Sequence, residues 1–163
     1  MASIASIQLT SGPNIQANLL EVSKYLEEIS KGKSKLVVLP ENFAFMPEND
    51  VSFVTNAEVE GSGPIQEFIA ESAVKYKIWI IAGTIPLKTK NPNKVTSSTL
   101  VFDDKGQIVA RYDKIHLFDV QLPNSDESYN ESEVFEHGKN LKTIKTPVGI
   151  VGLAICYDLR FPE

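Results

Sequence analysis

The chain has 163 residues, of which 42% are hydrophobic and 23% are charged. These proportions are ordinary for a folded globular protein and argue against disordered and fibrous classes. Sixteen Lys and Arg residues against 21 Asp and Glu residues give a formal net charge of -5. Because no basic block is present to attract phosphate groups, nucleic acid and anionic membranes are not expected as partners.

The sequence contains a single cysteine, Cys156. An internal disulfide is therefore impossible, and the simplest compartment is the cytoplasm. The amino-terminal residues lack a positively charged leader, and no apolar stretch approaches the length of a membrane span. We expect a cytoplasmic protein that does not bind a membrane.

The beginning of the chain predicts a β-α-β arrangement. Residues 3–9 have a mixed, strand-like alternation, and the next segment has Pro13 at a helix start and Gly32 at a helix stop. Residues 35–39 are a short apolar run ended by Pro40, which is typical of a strand buried on both faces. The apolar positions at helical spacing between them are Ile15, Leu19, Val22, Leu26 and Ile29.

A second helix is predicted from Pro64 to Lys77, followed by a buried strand at residues 78–84. Residues 95–102 and 107–112 are β-rich runs separated by turn residues, so they predict a hairpin and a mixed sheet. The predicted apolar face of the helix contains Ile65, Phe68, Ile69 and Val74.

The remaining segment predicts a loop followed by a hairpin. Residues 121–140 are polar, and the last hairpin is predicted to turn at residues 147–149 before a strand at 150–155. No repeat or linker divides the sequence. We therefore expect residues 1–163 to form part of a single α/β domain.

Three polar residues directly follow apolar, strand-like runs: Glu41, Lys114 and Cys156. Functional groups in α/β folds gather where strands end. Each residue alone also has an ordinary structural interpretation, because a carboxylate can cap a turn, a lysine is usually solvated and a lone cysteine is usually a small buried hydrophobe. Together they supply the parts for covalent acyl transfer from an amide.

In that chemistry Cys156 attacks a carbonyl carbon, and Glu41 takes the thiol proton and returns it to the departing amine. Lys114 and a backbone N–H near the cysteine stabilise the negative charge on the carbonyl oxygen. The scheme requires no histidine. His116 and His137 have no cysteine or carboxylate at metal-ligand spacing, so we expect no metal site. A thiol amidohydrolase of this kind is also expected to use no organic cofactor. His116 is predicted to be packed or hydrogen-bonded in a structural role, and His137 to lie in a loop.

Three stretches in this order resemble the motifs of the nitrilase, or carbon–nitrogen hydrolase, superfamily. They are LPENF at residues 39–43, YDKIHLFDV at 112–120 and GLAICYDLRFPE at 152–163. The resemblance implies a catalytic Glu41, a catalytic Lys114 and a nucleophilic Cys156.

A second glutamate of the family, which orients the lysine and the substrate, corresponds to Glu131. Glu127 and Glu133 are close enough in sequence to be alternatives.

The residues of these motifs are similar to those of the branch of this superfamily that includes deaminated-glutathione amidase and omega-amidase. The resemblance implies a small primary amide that carries a carboxylate, such as deaminated glutathione or, alternatively, α-ketoglutaramate. Arg160 is a candidate partner for that carboxylate, with a structural salt bridge as the equal alternative. Tyr157 is a second candidate for substrate binding.

The resemblance also implies an αββα sandwich of mixed sheets and, by family analogy, a possible homo-oligomer. Members of this superfamily are longer than 163 residues. We therefore expect the second half of the fold to be missing from this chain. An inactive fragment and a non-catalytic interaction module on the same fold are the alternatives to an amidase.

Overall fold

The computed structural model describes residues 3–122 and 128–162. The helices in this part of the chain are α1 (Ile15–Ser30), α2 (Val51–Thr55) and α3 (Pro64–Tyr76), with 3₁₀ turns at Glu131–Glu133 and Cys156–Arg160. The first strands are β1 (Ser3–Ser6), β2 (Ser34–Val38), β3 (Trp79–Ile81), β4 (Ile85–Lys88) and β5 (Val95–Phe102). The later strands are β6 (Ile108–Asp113), β7 (Asp119–Gln121), β8 (Ser128–Asn130), β9 (Thr143–Thr146) and β10 (Gly149–Gly152).

A six-stranded mixed sheet forms the centre of the fold. Strands β1, β2 and β3 are parallel, as the predicted β-α-β opening requires. The long strand β5 is antiparallel to β3 and β4 on one side and to β6 on the other. The prediction of a mixed sheet with a β5–β6 hairpin is therefore confirmed.

Helices α1 and α3 cover one face of this sheet. Helix α1 begins after Asn14, whose side-chain oxygen accepts a hydrogen bond from the N–H of Ala17 at 3.0 Å. The apolar stripe of each helix packs on alternate residues of the strands, because successive side chains of a strand point to opposite faces. The shared core contains Leu19, Val22, Leu26, Ile65, Ile69, Ala73, Val37, Ile80, Leu100 and Phe102.

The opposite face is covered by the β9–β10 hairpin and by the extended residues that follow it. Its apolar cluster contains Leu36, Ile81, Val101, Ala110, Tyr112, Leu153 and Ile155. This packing brings the segment before Cys156 against the central sheet. A third cluster, with Phe45, Phe53 and Phe135 in edge-to-face contact, lies around α2.

Several predicted boundaries differ from the structure. Val74 is half exposed, and Ala73 instead faces the core from α3. The predicted strand at 150–155 ends at Gly152, where sheet pairing stops. The polar segment at 121–140, expected to be a loop, contributes β8, which pairs with β7.

Two short elements gave no clear signal in the sequence. Helix α2 has only five residues, rich in β-branched side chains that disfavour helix. Strand β4 contains Pro86, which usually argues against a strand. The strand forms because it pairs along its length with β5.

Gly83, two residues after β3, allows the chain to pass close to the loop that carries Glu41. Its φ angle is +37°, and a Cβ atom at this position would collide with the carbonyl oxygen of Pro40. Its carbonyl oxygen accepts a 2.5 Å hydrogen bond from the Thr99 hydroxyl. A side chain at Gly83 would therefore displace either the strand or the residue that precedes Glu41.

We predict that Gly83→Ala lowers the free energy of unfolding by about 2–4 kcal/mol, because it combines a left-handed backbone with a backbone clash. Gly61→Ala is the matched control, since Gly61 has a φ of +83° but open space around its Cβ position. Its expected cost is about 1 kcal/mol. Denaturant unfolding measures both, and equal losses would contradict the role given to the Pro40 contact.

Candidate active site

Glu41, Lys114 and Cys156 lie around one cavity although the first and the last are 115 positions apart in the sequence. Glu41 follows β2, and Lys114 follows β6, whose pairing is continued by a 2.9 Å hydrogen bond from the Lys114 N–H to the Ser97 carbonyl. Cys156 follows β10 by three extended residues. The fold therefore brings these three side chains together beyond the ends of their strands, as the sequence predicted.

The ammonium group of Lys114 is held between two carboxylates. Its Nζ donates to Oε1 of Glu41 at 3.0 Å and to Oε1 of Glu131 at 2.9 Å. The lysine side chain is only 3% exposed, whereas those of Glu41 and Glu131 are 30% and 17% exposed. A buried ammonium group requires such partners, because an unpaired charge would lose its hydration without compensation.

Burial by itself would lower the pKa of Lys114. The negative charges and hydrogen bonds of Glu41 and Glu131 outweigh burial, so the pKa of Lys114 lies above its ordinary value. The lysine therefore stays positively charged at neutral pH and presents a fixed cation to the cavity.

Glu131 is fixed at both carboxylate oxygens. While Oε1 accepts from Lys114, Oε2 accepts a 2.6 Å hydrogen bond from the backbone N–H of Phe118. Glu133 lies at the exposed end of the same 3₁₀ turn, where its carboxylate binds the Asn130 side chain at 3.0 Å. Glu127, the other sequence alternative, lies outside the described residues. Of the two described candidates, Glu131 alone contacts the lysine.

Cys156 adopts a left-handed backbone conformation with a φ of +46°. This conformation is uncommon for a residue with a Cβ atom and often marks a functional position. Burial of the thiol and the negative charge of Glu41 raise the pKa of Cys156, and the positive charge of Lys114 acts in the opposite direction. At neutral pH the cysteine is therefore a thiol, which needs a base before it can act as a nucleophile.

Asp158, two residues after Cys156, is a buried carboxylate that the sequence interpretation missed. Its oxygens accept four hydrogen bonds, from the Tyr112 hydroxyl, the Ile155 N–H, the His116 N–H and His116 Nδ1, at 2.7–3.0 Å. Burial would raise the pKa of Asp158, but these donors outweigh it and lower that pKa below the ordinary value. An acidic residue two positions after the candidate nucleophile was the available signal for such a structural carboxylate.

His116 has the hydrogen-bonded structural role predicted for it. Because an ionised carboxylate only accepts hydrogen bonds, the proton on this ring lies on Nδ1, which donates to Asp158 at 2.8 Å. The ring also stacks on Phe161, with centroids 3.8 Å apart and planes 7° from parallel. His137 lies in a loop, as predicted, with Nδ1 2.9 Å from the Gly138 carbonyl.

Tyr157 and Arg160 are not among the residues that line the cavity. The Tyr157 ring packs edge-on against Phe118 and Phe161. Arg160 is exposed, and within residues 3–122 and 128–162 it has no ion pair or side-chain hydrogen bond. The structural salt bridge considered for Arg160 is therefore not found in this part of the chain.

The cavity beside Cys156 has a volume of about 280 Å³. Apolar walls from Phe53, Phe118 and Phe135 surround the polar groups, an arrangement typical of small-molecule sites. Among the lining residues, all within the described part of the chain, Lys114 is the one basic side chain. A small neutral group such as an amide is compatible with this lining.

Residues 3–122 and 128–162 contain no cluster of three or more His, Cys, Asp or Glu side chains with the geometry of a metal site. None of their helices is long and apolar enough to cross a membrane.

Comparison with known proteins gives a family match over almost the whole chain. The model of the carbon–nitrogen hydrolase family matches residues 3–163. The chain is 40% identical to a deaminated glutathione amidase of Yersinia enterocolitica, over 99% of this chain and 56% of that protein. It is 38% identical to an omega-amidase of Saccharomyces cerevisiae, over 98% of this chain and 56% of that protein.

Solved structures show the same likeness in three dimensions. The C. elegans NitFhit protein superposes with a TM-score of 0.85 at 31% identity, over 99% of this chain and 40% of that one. The chain spans about half the length of the curated relatives it matches.

We predict that Glu41→Gln and Lys114→Met move the reactivity of Cys156 in opposite directions. Loss of the Glu41 charge favours the thiolate, whereas loss of the Lys114 charge disfavours it. The pH midpoint of alkylation by iodoacetamide should therefore fall in Glu41→Gln and rise in Lys114→Met. Because Cys156 is the sole cysteine, the reaction reports one thiol.

Thermal unfolding of both variants at each pH ensures that the folded protein is being alkylated. Glu133→Gln is the matched control, because this carboxylate is exposed and bound to Asn130 rather than to Lys114. A shift of the midpoint in the same direction in both Glu41 and Lys114 variants would contradict the site geometry.

Proposed function

The chain belongs to the carbon–nitrogen hydrolase family, and we propose that it is a thiol amidohydrolase that cleaves a non-peptide carbon–nitrogen bond. The predicted α/β fold with mixed sheets of the nitrilase type is confirmed by the likeness to solved structures. One observation carries the functional proposal. A buried ammonium group, Lys114, is fixed between Glu41 and Glu131 in a cavity that also exposes the thiol of Cys156.

In the first step Glu41 takes the thiol proton while the sulfur forms a bond to the amide carbon. Oε1 of Glu41 accepts a hydrogen bond from Lys114, and the carboxylate keeps further lone pairs that can accept the thiol proton. The carbonyl oxygen acquires negative charge in the tetrahedral intermediate. Lys114 faces this charge, together with the backbone N–H of Tyr157 in the first turn of the 3₁₀ helix, where intrahelical acceptors are lacking.

The intermediate collapses when the carbon–nitrogen bond breaks and Glu41 returns its proton to the leaving nitrogen. Ammonia departs, and the acyl group stays on Cys156 as a thioester. Water then attacks the thioester with Glu41 again as the base, which releases the carboxylic acid and restores the thiol. No cofactor is needed to balance these steps.

Glu131 has the role of a positioning residue in this mechanism. Its two oxygens fix Lys114 and the backbone of Phe118 at the same time. The ammonium group is therefore held in place before the substrate arrives, which avoids a reorganisation cost during the reaction.

The proposed substrate is a small primary amide that carries a carboxylate, with deaminated glutathione as the first candidate and α-ketoglutaramate as the alternative. Support comes from the likeness to a deaminated glutathione amidase and, at similar identity, to an omega-amidase. A cytoplasmic location and assembly into a homo-oligomer stay predictions.

We predict that the protein releases ammonia from deaminated glutathione and that Cys156→Ala lowers this rate by at least about 10³-fold, because the nucleophile is removed. A coupled ammonia assay measures the rate. The relative kcat/KM for deaminated glutathione and α-ketoglutaramate decides between the two substrates. Undiminished turnover in Cys156→Ala would overturn the thiol mechanism, and ligand binding without turnover in the wild type would favour a non-catalytic module.

Arg160 gives a test of carboxylate recognition. If its guanidinium binds the substrate carboxylate, Arg160→Gln should raise KM for α-ketoglutaramate by about 10-fold with little change in kcat. Because the Arg160 side chain is exposed and has no ion partner among the described residues, the substitution should change the free energy of unfolding by less than about 0.5 kcal/mol. An unchanged KM would exclude Arg160 as the carboxylate partner.

A further inference from the structure

Asp158 ties the segment of the nucleophile to the segment of the buried lysine. We propose that Asp158 is a positioning residue, whose carboxylate holds Cys156 in its left-handed conformation and thereby directs the thiol toward Glu41 and Lys114. The inference rests on the proposed function only for the use that is made of the thiol.

On the cysteine side, Asp158 closes a loop around the nucleophile. Its Oδ2 accepts a 3.0 Å hydrogen bond from the N–H of Ile155, and its own N–H donates to the Ile155 carbonyl at 3.0 Å. The first bond has the form of half a capping box, in which a side chain at the third helical position reaches back to the residue before the helix. Cys156 lies directly inside this closed loop, which limits the angles its backbone can adopt.

On the lysine side, the same carboxylate binds residues on both sides of Lys114. Tyr112 lies two residues before the lysine and donates to Oδ2 at 2.7 Å. His116 lies two residues after it and donates to Oδ1 from its backbone N–H at 2.9 Å and from Nδ1 at 2.8 Å. One carboxylate therefore fixes the distance between the chain segments that carry the thiol and the ammonium group.

The ring contact at the end of the turn adds a second attachment. Phe161, immediately after the 3₁₀ helix, stacks on His116, the residue whose Nδ1 binds Asp158. The turn is thus held to the lysine segment at its middle residue, Asp158, and just past its end through Phe161. Rotation of the turn as a rigid unit would break both contacts.

Held in this way, Cys156 shares a cavity with charged groups from three other segments: Glu41, Lys114 and Glu131. Glu41 and Glu131 disfavour the thiolate and Lys114 favours it. The pH midpoint at which the thiol ionises therefore depends on how close the sulfur lies to these three charged groups. If the turn relaxes and the thiol moves away from Glu41, this midpoint should fall toward the value of a free cysteine.

Glu58 provides a matched control, because it is also a buried carboxylate saturated with hydrogen bonds. It accepts from the backbone N–H groups of Ile65 and Gln66 and from the Gln66 side chain at 2.6–3.2 Å. These contacts stabilise the start of α3 and involve no residue that lines the cavity. Loss of Glu58 should destabilise the fold without moving the thiol.

The experiment measures the pH midpoint of Cys156 alkylation by iodoacetamide in Asp158→Asn, Glu58→Gln and the wild type. We expect Asp158→Asn to lower the midpoint, in the same direction as Glu41→Gln, and Glu58→Gln to leave it unchanged. Ammonia release should fall by about 10²-fold in Asp158→Asn, the loss expected when a reacting group is misplaced by about 1 Å. In a Glu41→Gln background, Asp158→Asn should lower the midpoint little further, because both changes remove the same contact.

Tyr112→Phe is the milder variant to use if Asp158→Asn does not fold. It removes one of the four hydrogen bonds and keeps the carboxylate, so a smaller shift in the same direction is expected. The deciding variant is Asp158→Asn if it folds and Tyr112→Phe if it does not. If that variant has the same pH midpoint of alkylation as the wild type, the proposal is wrong, even where the variant's free energy of unfolding is lower. Alkylation does not require turnover, so absence of ammonia release in the wild type would count against the amidase function and not against the role of Asp158.

Discussion

The buried ammonium group of Lys114 is the interaction on which the site depends. Its side chain is 3% exposed, so its charge is tolerated only with carboxylates on both sides. Those carboxylates come from the end of β2 and from the 3₁₀ turn after β8, while the lysine follows β6. Satisfying one charge therefore brings three distant segments together and defines one wall of the cavity.

The sequence was informative where residue pattern and local chemistry agree. Helix α1 was predicted from regular spacing and ends two residues before Gly32, and the β5–β6 hairpin was predicted from β-rich runs around a turn. Glu41, Lys114 and Cys156 were identified because each polar residue follows an apolar run. Helix α2 and β4 were missed because their residues locally favour other structures, and tertiary pairing decides their conformation.

Asp158 shows a different limit of reasoning from sequence. Its four donors include backbone N–H groups of Ile155 and His116, which have no signature in the residue code. From the sequence alone, Asp158 is expected to be a solvated surface carboxylate, and only the folded structure shows that it is buried. Similarly, the choice of Glu131 over Glu133 depends on which side of a single 3₁₀ turn faces Lys114.

The left-handed backbone of Cys156 has a consequence for natural variation. At a φ of +46°, glycine would fit the backbone with less strain than any residue that carries a Cβ atom. Selection for stability alone would therefore move this position toward glycine, whereas a requirement for a thiol opposes that drift. At position 156, stability therefore favours glycine, whereas the chemistry requires cysteine. Sequence variants that have lost the chemistry are expected to carry glycine there.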